Sequence, residues 1–179
     1  MSGHNKWSQI KHKKGITDAK KSKIFSKLVR FISVEAKLAK GDLNAPGLRA
    51  SIEKAKKVNM PGENIERAIK KASETGAQME SIMYETYGPG GVGIIIETLT
   101  DSRNRTAQDI KHVLTKNGFM LGGIGSVAWS FTKEKTREGT EWKPNMLTPI
   151  SDEDLELLDK LVEELEENDD VQDVYTNAE

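Results

Sequence analysis

The hydrophobic period of this chain changes once, near residue 77, and that change limits the fold to helices first and a helix-covered sheet second. Upstream, apolar residues recur at steps of three and four, which lines them along one side of a helix. Thr17 or Asp18 can cap a long helix that runs to about Lys40 and ends at Gly41. Its apolar residues Ile24, Phe25, Leu28, Val29, Ile32 and Ala36 share one side. Lys20, Lys23, Lys27, Arg30 and Lys37 collect on the other, and the misplaced Lys21 lies near the end, where its stem reaches solvent. The breaker-rich loop GDLNAPG leads to a short helix with Leu48, Ile52 and Ala55 inward and Lys54, Lys56 and Lys57 outward. Pro61 suits the first turn of a third helix carrying Ile65, Ala68, Ile69 and Ala72. Each helix is marginal alone, so mutual packing into a three-helix bundle is expected.

Beyond residue 77 the pattern is that of strands. Residues 80–87 and 92–100 are strand-like, the second containing Ile94, Ile95 and Ile96. Asn104 to Asn117 reads as a helix with Ala107, Ile110, Val113 and Leu114 inward and Gly118 past its end. Strand signal returns at Val127–Thr132 and at Met146–Ile150. Ser151 caps a last helix, with Asp154 in the capping-box position and Leu155, Leu158, Val162 and Leu165 in one stripe. A short strand near Val171–Tyr175 closes the chain. The expected class is α+β: residues 1–76 form a basic arm and three-helix domain, and residues 77–179 form a sheet of four or five strands covered by helices.

Charge is segregated along the same axis. Residues 1–75 hold 18 Lys/Arg against 7 Asp/Glu, whereas residues 150–179 hold one Lys against 13 acids. The net charge of −1 hides one end that attracts polyanions and one that repels them.

Several function classes are excluded on chemistry. Without cysteine there is no disulfide framework and no thiolate metal site, which fits a reducing compartment. His4, His12 and His112 lack ligand spacing, so no metal is expected. No nucleophile motif with a base is present, so no catalytic residue, no cofactor and no enzymatic activity are expected. No apolar run approaches the roughly 18–20 residues of a membrane span. The opening MSGHNKWSQIKHKK lacks the apolar core of a secretory signal. The expected location is the cytoplasm, or the mitochondrial matrix for an organellar member, and the expected state is a monomer.

Two glycine clusters invite a phosphate-binding reading. Gly88-Pro89-Gly90-Gly91-Val92-Gly93 has G-x-G-x-x-G spacing, but IIIETLT follows where a dinucleotide site needs a helix start, so it reads as a hairpin loop. Gly122-Gly123-Ile124-Gly125-Ser126 lacks the P-loop lysine and reads as a turn that lets backbone approach a ligand closely.

The best candidate site is basic. Lys6, Lys11, Lys13 and Lys14, with Trp7 and His12 among them, form an arm with too little apolar material to pack. With Lys20, Lys23, Lys27 and Arg30 of the first helix they can neutralise phosphates and release counterions. Trp7 is either a stacking surface for an unpaired base or a lid on the bundle. Arg103 and Arg105 begin the middle helix, where its dipole disfavours cations. Either an anionic partner or an ordinary surface ion pair accounts for them.

Five ordered segments then point to a family. GHNKWSQIKHKKGITDAKKSKIFSKLVR at 3–30, NMPGENIERAIKKA at 59–72, YGPGGVGIIIETLTDSRNRT at 87–106, GSVAWSF at 125–131 and SDEDLELLDKLVEELEENDDVQDVYTN at 151–177 resemble the YebC/PmpR family. Its mitochondrial members are known as translational activators of cytochrome oxidase. The resemblance implies a helical first domain followed by two α+β domains, the third inserted into the second. Here Phe131 is followed only by TKEKTREGTEWKPN, so the inserted third domain is expected to be missing, with a shortened connection at about 132–145. It also implies one of two roles: a ribosome-associated factor that binds ribosomal RNA and aids elongation through stretches such as consecutive prolines, or a DNA-binding transcriptional regulator. The opening motif and Asp101–Thr106 are the segments that the resemblance places on nucleic acid. A lysine-rich helix with Arg30 as its one arginine suits backbone gripping better than bidentate base reading, which favours RNA.

Overall fold

The computed structural model describes residues 18–40, 42–74, 79–136 and 139–179. Three helices come first: α1 (Asp18–Ala39), α2 (Pro46–Lys57) and α3 (Gly62–Glu74). Their shared core is the stripe read from the sequence. Ile32, Leu48, Ala55, Ile65 and Ala68 are buried together, with Phe25, Leu28, Val29 and Ile69 packed around them. Pro61 lies just before α3 and accepts the amide hydrogens of Asn64 and Ile65, closing the helix start without needing a donor of its own.

The second part alternates: β1 (Glu80–Tyr87), β2 (Gly93–Thr100), α4 (Arg103–Lys116), β3 (Phe131–Thr136), β4 (Gly139–Pro144), α5 (Asp152–Glu166) and β5 (Val171–Thr176). β1, β2 and β5 form one antiparallel sheet in that order, with β2 central. Strand parity sends alternate residues of β2 to opposite faces. Ile94 and Ile96 meet Ile110 and Leu114 of α4 and Leu158, Leu161 and Leu165 of α5. Ile95 faces the other way, onto Val127, Phe131 and Trp142. A strand covered on both faces reads as a continuous apolar run, which is why β2 is so rich in isoleucine. Ser151 caps α5 as expected, its hydroxyl accepting from the Asp154 amide at 3.1 Å.

The sheet itself departs from expectation. In place of one sheet of four or five strands there is a three-stranded sheet and a separate β3–β4 hairpin. Val127–Thr132 is a 3-10 turn at Ala128–Ser130 followed by the start of β3, and Met146–Ile150 makes only a single bridge, Thr148 to Ala178. β3 pairs with β4 from Phe131–Pro144 to Thr136–Gly139, so its ladder partner is the next strand in the chain. Trp142 then lays its ring against the sheet and donates its indole N–H to Glu97 at 2.9 Å. The segment following Phe131 is thus a short hairpin closed on itself.

Glu85 fixes the loop between α4 and β3. It is 3% exposed on the β3–β4 face of β1. Its carboxylate accepts three backbone amides, from Gly125 at 2.6 Å and from Val127 and Ala128 at 2.7 Å. Gly122 lets the loop come this close, because a Cβ there would stand 3.0 Å from the Glu85 carbonyl oxygen. Replacing Glu85 with leucine leaves three amides without their acceptor, of which that of Val127 is buried, and at about 1–3 kcal/mol for a buried donor this is expected to cost roughly 1–3 kcal/mol. Urea unfolding of Glu85→Leu beside Glu85→Gln, which keeps one acceptor and should lose less, checks this.

Candidate nucleic-acid interface

Of the expected site residues, Lys6, Trp7, Lys11, His12, Lys13 and Lys14 lie outside the described residues, as does the Lys20 side chain. Lys23, Lys27 and Arg30 follow one another at steps of four and three on α1, which brings them to one face. This face meets the acidic end of the chain. Lys23 pairs with Glu167 at 3.7 Å, and the half-buried Arg30 guanidinium binds the Asp170 carboxylate and the Leu99 carbonyl oxygen, the latter at 3.4 Å.

Asp170 is 2% exposed and is shared between the two parts of the molecule. Its Oδ2 serves the α+β part: the Thr106 hydroxyl donates at 2.6 Å, Arg105 at 3.0 Å, and the Thr100 hydroxyl lies at 3.2 Å. Its Oδ1 takes Arg30 from α1. The Asp170 carbonyl also accepts the Leu99 amide at 2.8 Å, which ties the turn after α5 to the end of β2. Burial alone would raise the pKa of this carboxyl, but hydrogen bonds from Thr106, Arg105 and Arg30 outweigh it and hold the group below its ordinary value.

In the sequence Asp170 is one of the 13 acids that make residues 150–179 repel polyanions, and the structure gives it a separate, buried role. The residue follows the helix end, where Asn168 accepts its amide at 2.8 Å and turns the carboxylate inward. The available signal was position: an acid directly before the apolar strand β5. Glu85 was missed for a similar reason, although alternation along β1 puts it on the same face as Met83.

Arg103 and Arg105 are both engaged in ion pairs. Arg103 is paired with Glu80, and both are exposed, a setting in which such pairs contribute little. Arg105 joins Asp101 at 2.8 Å and Asp170 at 3.0 Å. Between α1 and the α4–β5 region lies an open cleft of about 390 Å³, lined by Arg30 and Arg105 and by five carboxylates that include Asp101, Asp109, Glu167 and Asp170. Its balance is acidic, so its two arginines are neutralised from within. Among the described residues no helix is long and apolar enough to cross a membrane, and no group of three His, Cys, Asp or Glu could hold a metal ion.

Fold and site together define an α+β protein whose basic helical part is docked through arginine and lysine onto an acidic turn whose Asp170 is buried. The chain belongs to the TACO1/YebC family. Residues 5–75 match the TACO1/YebC protein N-terminal domain, and residues 79–137 and 133–178 match the TACO1/YebC second and third domain. The two pieces of the second match meet at the β3–β4 hairpin. A "probable transcriptional regulatory protein" of Trichlorobacter lovleyi is 55% identical over 137 residues, which cover 75% of this chain and 56% of that relative. The chain thus spans just over half the length of that relative. Another protein so named, from Thermoanaerobacter pseudethanolicus, is 39% identical over an alignment of 239 residues, covering 100% of this chain and 97% of that protein. With 179 residues here, that relative carries a stretch that has no counterpart in this chain. The crystal structure of a conserved hypothetical protein from Aquifex aeolicus superposes with a TM-score of 0.84 at 35% identity, covering 97% of this chain and 96% of that one.

A carboxyl whose pKa is depressed by folding adds stability above its ordinary range and loses it as the pH falls through its folded value. The melting temperature should therefore drop in acid, and Asp170→Asn should flatten that acid limb while lowering the neutral plateau. Thermal melts of both proteins between about pH 2 and 7 test the sign.

Proposed function

We propose that this protein is a non-enzymatic regulator of gene expression in the cytoplasm, acting as a ribosome-associated translation factor. In this reading residues 1–76 form the domain that grips ribosomal RNA and residues 77–179 form the domain that orients it. The observation that carries it is the basic face of α1, with Lys23, Lys27 and Arg30 in line behind a lysine-rich opening segment. Lysines bind phosphate as point charges and suit irregular RNA, whereas duplex sequence is read by bidentate side chains. Arg30, the one arginine of α1, is already bound to Asp170, which supports gripping over base reading.

A second reading, DNA-binding transcriptional regulation, is favoured by the names of the bacterial relatives. Co-migration with ribosomes in a sucrose gradient, abolished by nuclease, supports the translational role. A promoter-dependent footprint supports the transcriptional one and overturns the first. If about five lysines contact phosphates, the logarithm of the binding constant should fall with the logarithm of salt concentration at a slope of roughly −3.5 to −4.5, and a slope near zero would contradict the electrostatic basis of both. Replacing Lys11, Lys13 and Lys14 together with alanine should weaken RNA binding with little loss of melting temperature.

A further inference from the structure

We infer that the acidic turn at 167–170 is an internal phosphate mimic that holds the basic face of α1 closed until a polyanion displaces it. Its first support is how the two parts are joined. Each of the three apolar clusters stays on its own side of residue 77. Across the junction, polar contacts do the holding: Arg30 to Asp170 and to the Leu99 carbonyl, and Lys23 to Glu167. A junction without a shared apolar cluster moves at modest cost.

Its second support is the division of labour within Asp170. Oδ2 is engaged by Thr100, Thr106 and Arg105, so the turn keeps its shape whether or not α1 is docked. Oδ1 is left for the guanidinium from α1. Glu167 and Asp170 face α1 at Lys23 and Arg30, seven residues or about two turns apart, so the two carboxylates occupy two separate points of the basic face. Phosphate and carboxylate engage arginine through the same two-pronged geometry, so they compete for it. The charge segregation of the chain has this consequence: the acidic end shields the basic one.

The inference rests on the proposed polyanion binding, and its test separates the two. The chain has no cysteine, so Leu38→Cys and Ile124→Cys, at positions 70% and 100% exposed, accept a pair of spin labels on the two parts. At low salt the labelled protein should show a dominant narrow distance with a minor broad component from the open form. Arg30→Ala should broaden it, since Asp170 keeps its three other partners. Asp170→Asn should broaden it too, because the amide oxygen can replace Oδ2 while its NH2 group cannot accept from Arg30. Bound poly(U) should broaden the unsubstituted pair in the same way. Asp170→Asn should also tighten poly(U) binding about three- to tenfold, the gain expected if the closed form makes up roughly 70–90% of molecules. A distance unmoved by Arg30→Ala and by bound poly(U) overturns the latch and leaves the proposed function standing. Failure of poly(U) to bind at low salt overturns that function, and the competition with it.

Discussion

The arrangement of this molecule depends on one buried carboxylate. Asp170 is engaged by Thr100, Thr106 and Arg105 of the α+β part and by Arg30 of the helical part. Taking a carboxylate out of water is costly unless its lone pairs are filled, and here donors approach both oxygens. The same group therefore fixes the turn between α5 and β5, anchors the start of α4 and sets where α1 docks. Removing one donor affects the junction, whereas removing the carboxylate affects the fold as well.

A second carboxylate acts on the other face of the sheet. Glu85 gathers three amides of the 122–130 loop, among them that of the buried Val127, which would otherwise lack this acceptor. That loop delivers Val127 and Phe131 onto Ile95 and leads directly into the β3–β4 hairpin. The hairpin stands where the two pieces of the family match meet, and its Trp142 covers sheet surface beside Glu97. A short, locally paired hairpin can close the strand ends that a longer insertion would otherwise separate.

These features give the charge segregation a structural meaning. The basic helix and the acidic turn are opposed at the junction, so part of the positive charge is satisfied within the chain itself. Arg30 and Arg105 are both engaged this way.

The sequence by itself determined the elements. The helical stripes of α1, α2 and α3, the doubly buried run of β2, the Ser151 cap and the family motifs were all legible, because each rests on spacing between near neighbours. The β3–β4 hairpin was not, since its strands are polar and its place depends on Trp142 finding the sheet. Nor were the roles of Glu85 and Asp170, or the pairing of Arg30 with a residue 140 positions away. Whether a charged residue meets water, phosphate or a distant partner is set by burial and distance in three dimensions. Local pattern reports which groups a chain possesses, and only packing decides which of them meet.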